Sequence, residues 1–213
     1  MPDEPPNPGY DVESFDSGSE EAGSRVGQVI GSYTLYQEIG RGGMGTVYLA
    51  KNTSLERYAA IKFLGRHLTA DPVYVDMFLR EAKAAAKLNH PGIVQIYDAG
   101  CVEGNCYYMI MEYIDGRDLK SLLDESKLFS VSNGVDYVLQ SAAALGYAHK
   151  RHIIHRDIKP ENLILQRDGK LKICDLGLAK QMGEDSSITQ NGMVLGTPNY
   201  VAPERLRDPF CND

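Results

Sequence analysis

Cysteine is scarce in this chain: there are four in 213 residues (Cys101, Cys106, Cys174, Cys211), with no repeated Cys-x-x-Cys spacing. That excludes a disulfide framework. A secretory leader is lacking too, because the N-terminus MPDEPPNPGYD has neither the basic nor the apolar region of one. A reduced, cytoplasmic setting is expected. Long apolar runs are also missing: YYMIMEYI is broken by Glu112 and falls far short of the roughly 20 residues that cross a bilayer, so no membrane segment is expected. Finally, there is no excess of positive charge. The chain carries 22 basic and 29 acidic side chains, a formal charge of −7. Residues 1–25 hold seven of the acids (Asp3, Glu4, Asp11, Glu13, Asp16, Glu20, Glu21) against one base, Arg25, which leaves the other 188 residues close to neutral. Nothing here is built to neutralise a duplex of phosphates, and nucleic-acid binding is excluded as a first reading.

What is present reads as globular, with 43% hydrophobic and 24% charged residues. Residues 1–32 combine prolines, serines, glycines and the acid excess with few apolar side chains, and a disordered tail is expected. Ser14, Ser17 and Ser19 lie among its acids as phosphate-acceptor candidates. From Tyr33 the pattern turns β-like: YTLYQEI, TVYLAK and YAAIKFL predict three antiparallel strands. Asp71-Pro72 then supplies an N-cap and a first-turn proline for a helix that Asn89-His90-Pro91 ends. IVQIYDA and CYYMIMEY predict a fourth and fifth strand, so the element order is not a βαβ repeat. Beyond Gly116, Asp118 opens a short helix through Leu123, and Val131, Val135, Val138, Ala142 and Leu145 mark a longer one ending near Lys150. A polar loop, HRDIKPEN, precedes a hairpin turning at Asp168-Gly169, and the rest reads as a long loop.

Gly40, Gly42 and Gly45 form G-x-G-x-x-G in IGRGGMGTVY. A dinucleotide-binding turn would need a helix next, whereas a strand follows. A glycine turn between strands lets backbone N–H groups approach a polyphosphate closely; a plain flexible hairpin fits equally well, and the motif alone leaves both standing. Lys62 ends the third strand and Glu81 lies in the inserted helix, each by itself an ordinary surface charge. Spacing does not establish that they meet.

The run His155-Arg156-Asp157-Ile158-Lys159-Pro160-Glu161-Asn162, then Asp175-Leu176-Gly177, then Gly196-Thr197-Pro198-Asn199-Tyr200-Val201-Ala202-Pro203-Glu204 resembles, in order, the signature set of eukaryotic-type serine/threonine protein kinases. IGRGGMGTVYLA and NHPGIVQIYDAG are similar in wording to bacterial members. The resemblance runs from about Tyr33 to the C-terminus. It implies an α+β, two-lobed fold: a five-stranded antiparallel small lobe with one inserted helix over residues 33–113, and a helical large lobe from 114 to 213. It implies ATP and Mg²⁺ as cofactors, and proteins with Ser or Thr acceptors as substrates. By resemblance the Gly40–Gly45 loop covers the phosphates, Lys62 contacts them and Glu81 orients Lys62. Asp157 accepts the substrate proton and Lys159 steadies the γ-phosphate, while Asn162 and Asp175 hold metal. Ile39, Val47, Ala60 and Ile164 enclose the adenine, Met111 backs the pocket, Glu112 to Ile114 form the hinge and Asp118 meets the ribose or a substrate residue. Lys159 and Thr197 match the serine/threonine branch. Arg156 implies a phosphorylated loop residue, with Ser186, Ser187 and Thr189 as candidates.

Three departures stand out. Leu176 replaces the family's usual Phe, and His152 stands where a glycine commonly precedes IIHRD. The chain also stops nine residues after Glu204, before the helices with which the family completes its large lobe. An incomplete helical lobe is therefore expected, with an apolar stripe on the long helix left without a partner. That stripe fits a truncated product, or a minimal kinase completed by a partner chain that covers the exposed face. The alternative to an enzyme is a catalytically inactive nucleotide-binding or interaction fragment.

Overall fold

The computed structural model describes residues 24–125, 128–175, 180–181, 198–200 and 203–204. Its first half is an antiparallel sheet of β1 (Val29–Ile30), β2 (Tyr33–Gly42), β3 (Gly45–Asn52), β4 (Arg57–Leu64), β5 (Ile96–Val102) and β6 (Cys106–Glu112), in the order β1-β2-β3-β4-β6-β5. Helix α1 (Pro72–Ala85) is inserted between β4 and β5. β4 is the strand buried on both faces. Ala59, Ile61 and Phe63 face a cluster with Leu35, Tyr48, Ala50 and Ile110, and Leu64 faces one with Phe78, Ala82 and Met109. That second cluster exists because α1 turns Phe78, Glu81, Ala82 and Ala85 to one side at helical spacing. Its start is fixed by the Asp71 carboxylate, which accepts from the Val73 amide at 2.9 Å, with Pro72 in the first turn.

The five expected strands are all present, with two differences. Of the expected tail of residues 1–32, residues 1–23 lie outside the described residues and the end is structured: Gly27 N donates to Leu35 O (2.8 Å), Leu35 N donates to Gln28 O (2.9 Å), and Val29–Ile30 adds a sixth strand with Ile30 buried. The composition of the whole leader hid this proline-free end, whose valines and isoleucine favour a strand. The fourth strand also starts at Ile96 rather than Ile93. Ile93 and Val94 are drawn off to the second half of the molecule, where Val94 N donates to Ile173 O and Ile173 N donates to Gly92 O, both at 2.9 Å.

The second half comprises β7 (Gly116–Asp118), α2 (Leu119–Asp124), α3 (Val131–His149), β8 (Ile153–Ile154), β9 (Leu163–Gln166), β10 (Leu171–Ile173) and β11 (Lys180–Gln181). The β9–β10 hairpin turns at Asp168-Gly169 as expected, Gly169 taking φ +83°. β7 joins β9 to make three strands, and β8 pairs with β11; neither pairing was legible in the sequence. Gln140 of α3 grips the hairpin: its Oε1 accepts from Leu171 N (2.7 Å) and its Nε2 donates to Gly169 O (3.2 Å). A single core links both halves, with Ala84, Ala85 and Leu88 from the α1 side against Ala144 and Ala148 of α3, Ile153, Leu171 and Ile173. Of the expected stripe on α3, Val131, Val135, Val138 and Ala142 are exposed, with Leu139 beside them, whereas Leu145 packs against the core. No described helix is long and apolar enough to cross a membrane.

His152, the residue in the place of a glycine, has φ +60°. A left-handed conformation crowds Cβ against the following carbonyl, so a histidine there is strained. His152→Gly is expected to raise stability by about 0.5–1 kcal/mol in chemical denaturation, the relieved strain being partly offset by the looser unfolded chain.

Candidate functional site

A cavity of about 250 Å³ lies between the two halves, lined by Ile39, Gly40, Val47, Ala60, Lys62, Glu81, Met111, Glu112, Ile114, Asp118, Ile164 and Asp175 together with others. Of the residues singled out from the sequence, Gly42, Gly45, Asp157, Lys159 and Asn162 lie beyond its wall. The roof is the β2–β3 hairpin, where Gly40 pairs with Val47 and Gly42 with Gly45. A strand follows the glycines, which excludes the dinucleotide-binding turn. Gly45 has a packing reason to be glycine: φ is +148°, and a Cβ would sit 1.8 Å from Phe63 O. Gly42 and Gly43 have none, because a Cβ on either would meet nothing within 4 Å. Their bare backbone leaves open space at the hairpin tip.

Lys62, in register with Val47 on one side and Met109 on the other, projects beneath this roof. Its Nζ lies 3.8 Å from Glu81 Oε1, both side chains being buried, and forms an ion pair with Asp175 Oδ1. Burial works against the Lys62 ammonium, but Glu81 and then Asp175 outweigh it and raise its pKa. Burial pushes the Glu81 carboxyl up, with Lys62 opposing. Asp175, 43% exposed, also feels some desolvation, yet Lys62 holds it below the usual carboxylate range. Two carboxylates share one ammonium, and Glu81 Oε2 is buried without a hydrogen bond among the described residues. The cluster is short of positive charge. The Lys62–Asp175 contact, between residues 113 positions apart, had no signal in the sequence, which pointed only to Glu81.

The loop beside Asp175 is tied by its own hydrogen bonds. Lys159 Nζ lies 3.0 Å from Asp157 Oδ2, and Asn162 Nδ2 donates to Asp157 O at 2.8 Å and more weakly to Oδ2 at 3.4 Å. Cys174 N donates to Asn162 O at 3.0 Å. His155, 1% exposed, closes the set: Asp157 N donates to its Nδ1 (3.3 Å), so its Nε2 carries the proton and donates to Cys174 O (3.1 Å). Arg156 (φ +67°) and Asp175 (φ +58°) hold left-handed backbones on either side, strain of the kind that concentrates at functional sites. Nothing in the sequence signals this structural part for His155 beyond its place in the motif.

Three further positions differ in detail from expectation. Glu112 accepts Lys172 Nζ on both carboxylate oxygens (2.6 and 2.7 Å), an ion pair 60 residues apart that the sequence did not disclose. Asp118 lines the cavity, but its carboxylate also caps α2, accepting from Ser121 N (2.8 Å) and Ser121 Oγ (2.6 Å). Cys174 is a shielded thiol whose pKa burial pushes up to about 12. Leu176, Gly177, Ser186, Ser187, Thr189, Gly196 and Thr197 lie outside the described residues.

Residues 33–211 match the protein kinase domain family, and the chain belongs to that family. Proteins similar to it include serine/threonine-protein kinases of bacteria. The chain is 42% identical over 183 residues to a probable serine/threonine-protein kinase of Clostridium acetobutylicum, covering 85% of this chain and 28% of that protein. It is 39% identical over 186 residues to the serine/threonine-protein kinase PknA of Mycobacterium tuberculosis, covering 85% and 43%. Among solved structures, the M. tuberculosis PknI kinase domain matches with a TM-score of 0.65 at 30% identity, over 75% of this chain and 63% of that one. The chain therefore spans less than half the length of these curated relatives.

Two outcomes follow from the site. Burial holds the His155 pKa below its ordinary value, despite the Cys174 carbonyl and nearby carboxylates. The unfolded imidazole takes a proton near pH 6.5 and the folded one only lower, so stability is expected to fall as pH drops below about 6.5. Thermal melting across that range should show a smaller decline in His155→Gln, whose amide can both donate and accept. At neutral pH, iodoacetamide followed by peptide mapping should label the exposed Cys101 well ahead of Cys174, whose thiol stays protonated.

Proposed function

We propose that the chain is a serine/threonine protein kinase domain that transfers the γ-phosphate of ATP to Ser or Thr hydroxyls of protein substrates. One observation carries the reading: Asp157, Lys159 and Asn162 are hydrogen-bonded through Cys174 to the segment that brings Asp175 against Lys62 and Glu81. The residues fit a magnesium nucleotide. Val47, Ala60, Met111 and Ile164 offer an apolar slot for a base, the bare tip at Gly42 and Gly43 leaves room for phosphates, and the charge-deficient carboxylates accept a hard cation. The family membership supports ATP and Mg²⁺ in general; the residue-by-residue allotment is our own.

In that allotment Asp175 and Asn162 hold Mg²⁺, which supplies charge neutralisation to the transferring phosphoryl group. Lys62 presents its ammonium to the phosphates and Glu81 restrains the lysine. Glu112 and Ile114 offer hinge backbone to the base. Asp157, positioned by Asn162 and Lys159, accepts the proton of the incoming hydroxyl, and Lys159 offsets negative charge beside it. Little covalent chemistry falls to the protein, so positioning and electrostatics carry the rate. The division at residues 113/114 into a small and a large lobe belongs to the same reading. So does a cytoplasmic setting, where ATP and reduced thiols coexist.

The exposed apolar face of α3 favours a second reading: a nucleotide-binding fragment without phosphotransfer, or one that acts only when a partner chain covers that face. A phosphorylation assay with ATP and Mg²⁺ on a generic Ser/Thr protein substrate separates them. Asp157→Asn is expected to cost about 10²–10⁴-fold in kcat at unchanged nucleotide affinity. Wild-type turnover no higher than that of Asp157→Asn, with ATP still bound, would establish the fragment.

A further inference from the structure

A second cavity, of about 540 Å³, shares no residue with the first. It lies where the ordered N-terminal extension crosses the sheet, between β1, the end of β4 and the β5–β6 turn. Arg25, Val29, Leu64, Arg66, Val102 and Cys106 contribute to its walls, and Glu103 is the one acid that lines it among the described residues. Arg25 is held in place: its guanidinium stacks 4.5 Å from the Phe63 ring centroid and its Nη1 reaches Gln28 Oε1 at 3.4 Å. Neither Arg25 nor Arg66 has a carboxylate partner among the described residues. Two arginines in a cavity that also presents Val29, Val102 and Cys106 suit an acidic strand that carries an apolar residue.

The sequence contains such a segment next door. Asp11–Glu21, DVESFDSGSEE, has five acids, no base and the apolar Val12 and Phe15, and the described chain begins at Ser24, one residue from Arg25. Eight residues separate Asp16 from Arg25, a reach of up to about 30 Å, and attachment gives the segment a high local concentration at the cavity. We propose that residues 11–21 dock in this cavity, with their carboxylates on Arg25 and Arg66 and Phe15 against the apolar wall. Docking would brace the loop from Leu64 to Thr69 that leads into α1, the helix carrying Glu81. Exposed ion pairs are individually weak and screened by salt, so the segment exchanges between docked and free positions.

Cys106 lines the cavity, whereas Cys101 is exposed and points to the other face of the same hairpin, because Val102 pairs with Cys106 and Cys101 with Tyr107. The full chain thus carries its own probe and control. At low salt, alkylation of Cys106 is expected to be about threefold slower in the wild type than in the triple variant Asp16→Asn, Glu20→Gln, Glu21→Gln, with the difference closed by high salt. Cys101 should react equally in both. Arg66→Glu should also speed Cys106, although loss of a nearby cation alone would slow a thiolate. Equal Cys106 rates in wild type and the triple variant, which alters only residues 16–21, would overturn the proposal. So would protection that grows with protein concentration, since that places the segment of a second copy in the cavity.

Discussion

The molecule is organised around a lysine that cannot be buried alone. An ammonium moved out of water costs several kcal/mol unless opposite charge and hydrogen bonds meet it, and Lys62 sits on the central strand of the sheet, 7% exposed. Its partners come from opposite directions: Glu81 from the inserted helix and Asp175 from the segment after β10. Glu81 is as deeply buried as the lysine, so neither of those two is tolerable without opposite charge, while the half-exposed Asp175 adds a second carboxylate from the solvent side. This explains why α1 carries a carboxylate on a face otherwise made of Phe78, Ala82 and Ala85, an arrangement that hydrophobic packing by itself would never select.

Holding such a cluster requires the halves of the chain to be fixed against each other, and two devices do so. Small residues let the end of α1 and the middle of α3 approach closely, Ala84 and Ala85 meeting Ala144 and Ala148 in one core with Leu171 and Ile173. The Glu112–Lys172 ion pair and the backbone exchange of Gly92 and Val94 with Ile173 then bind the sheet side to the β9–β10 hairpin. Both devices act on strand β10, and Cys174 and Asp175 follow it directly. The position of the metal-ligand candidate is therefore inherited from core packing.

Local chemistry was readable in advance. Asp71-Pro72, Asp118 and Asp168-Gly169 set the starts of two helices and the turn of a hairpin through contacts within three residues, and the structure bears each out. The ordered set of motifs likewise identified the family. What was not readable depends on partners far away in the chain: the Lys62–Asp175 contact, the Lys172 ion pair, the β7–β9 and β8–β11 pairings. Ile93 and Val94 show how such a partner overrides a pattern, since an apolar run that reads as the start of a strand spends its first two residues on Ile173. The glycine motif was only half legible. Its hairpin was foreseeable, but the close approach of Gly45 to Phe63 O, and its contrast with the unconfined Gly42 and Gly43, requires the neighbouring strand.

The two faces of α3 separate assembly of the site from the covering of an exposed apolar surface. The inner face packs the core that supports β10, while Val131, Val135, Val138, Leu139 and Ala142 repeat at helical spacing on the outer face, and none of them lines the cavity. Burying a Val or Leu contributes about 1.5–3 kcal/mol, so whatever covers this face bears on stability by an amount comparable to a domain's entire margin. Among the described residues it bears on the site through the inner contacts of α3: Ala144 and Ala148 share a core with Ile153, and Gln140 reaches Leu171 N and Gly169 O. Assembly of the cavity and covering of the outer face are thus separable demands. The cavity and the Lys62 cluster are assembled by residues whose own packing is satisfied, and an unmet demand on the outer face would reach Asp175 only by loosening the helix that holds its hairpin.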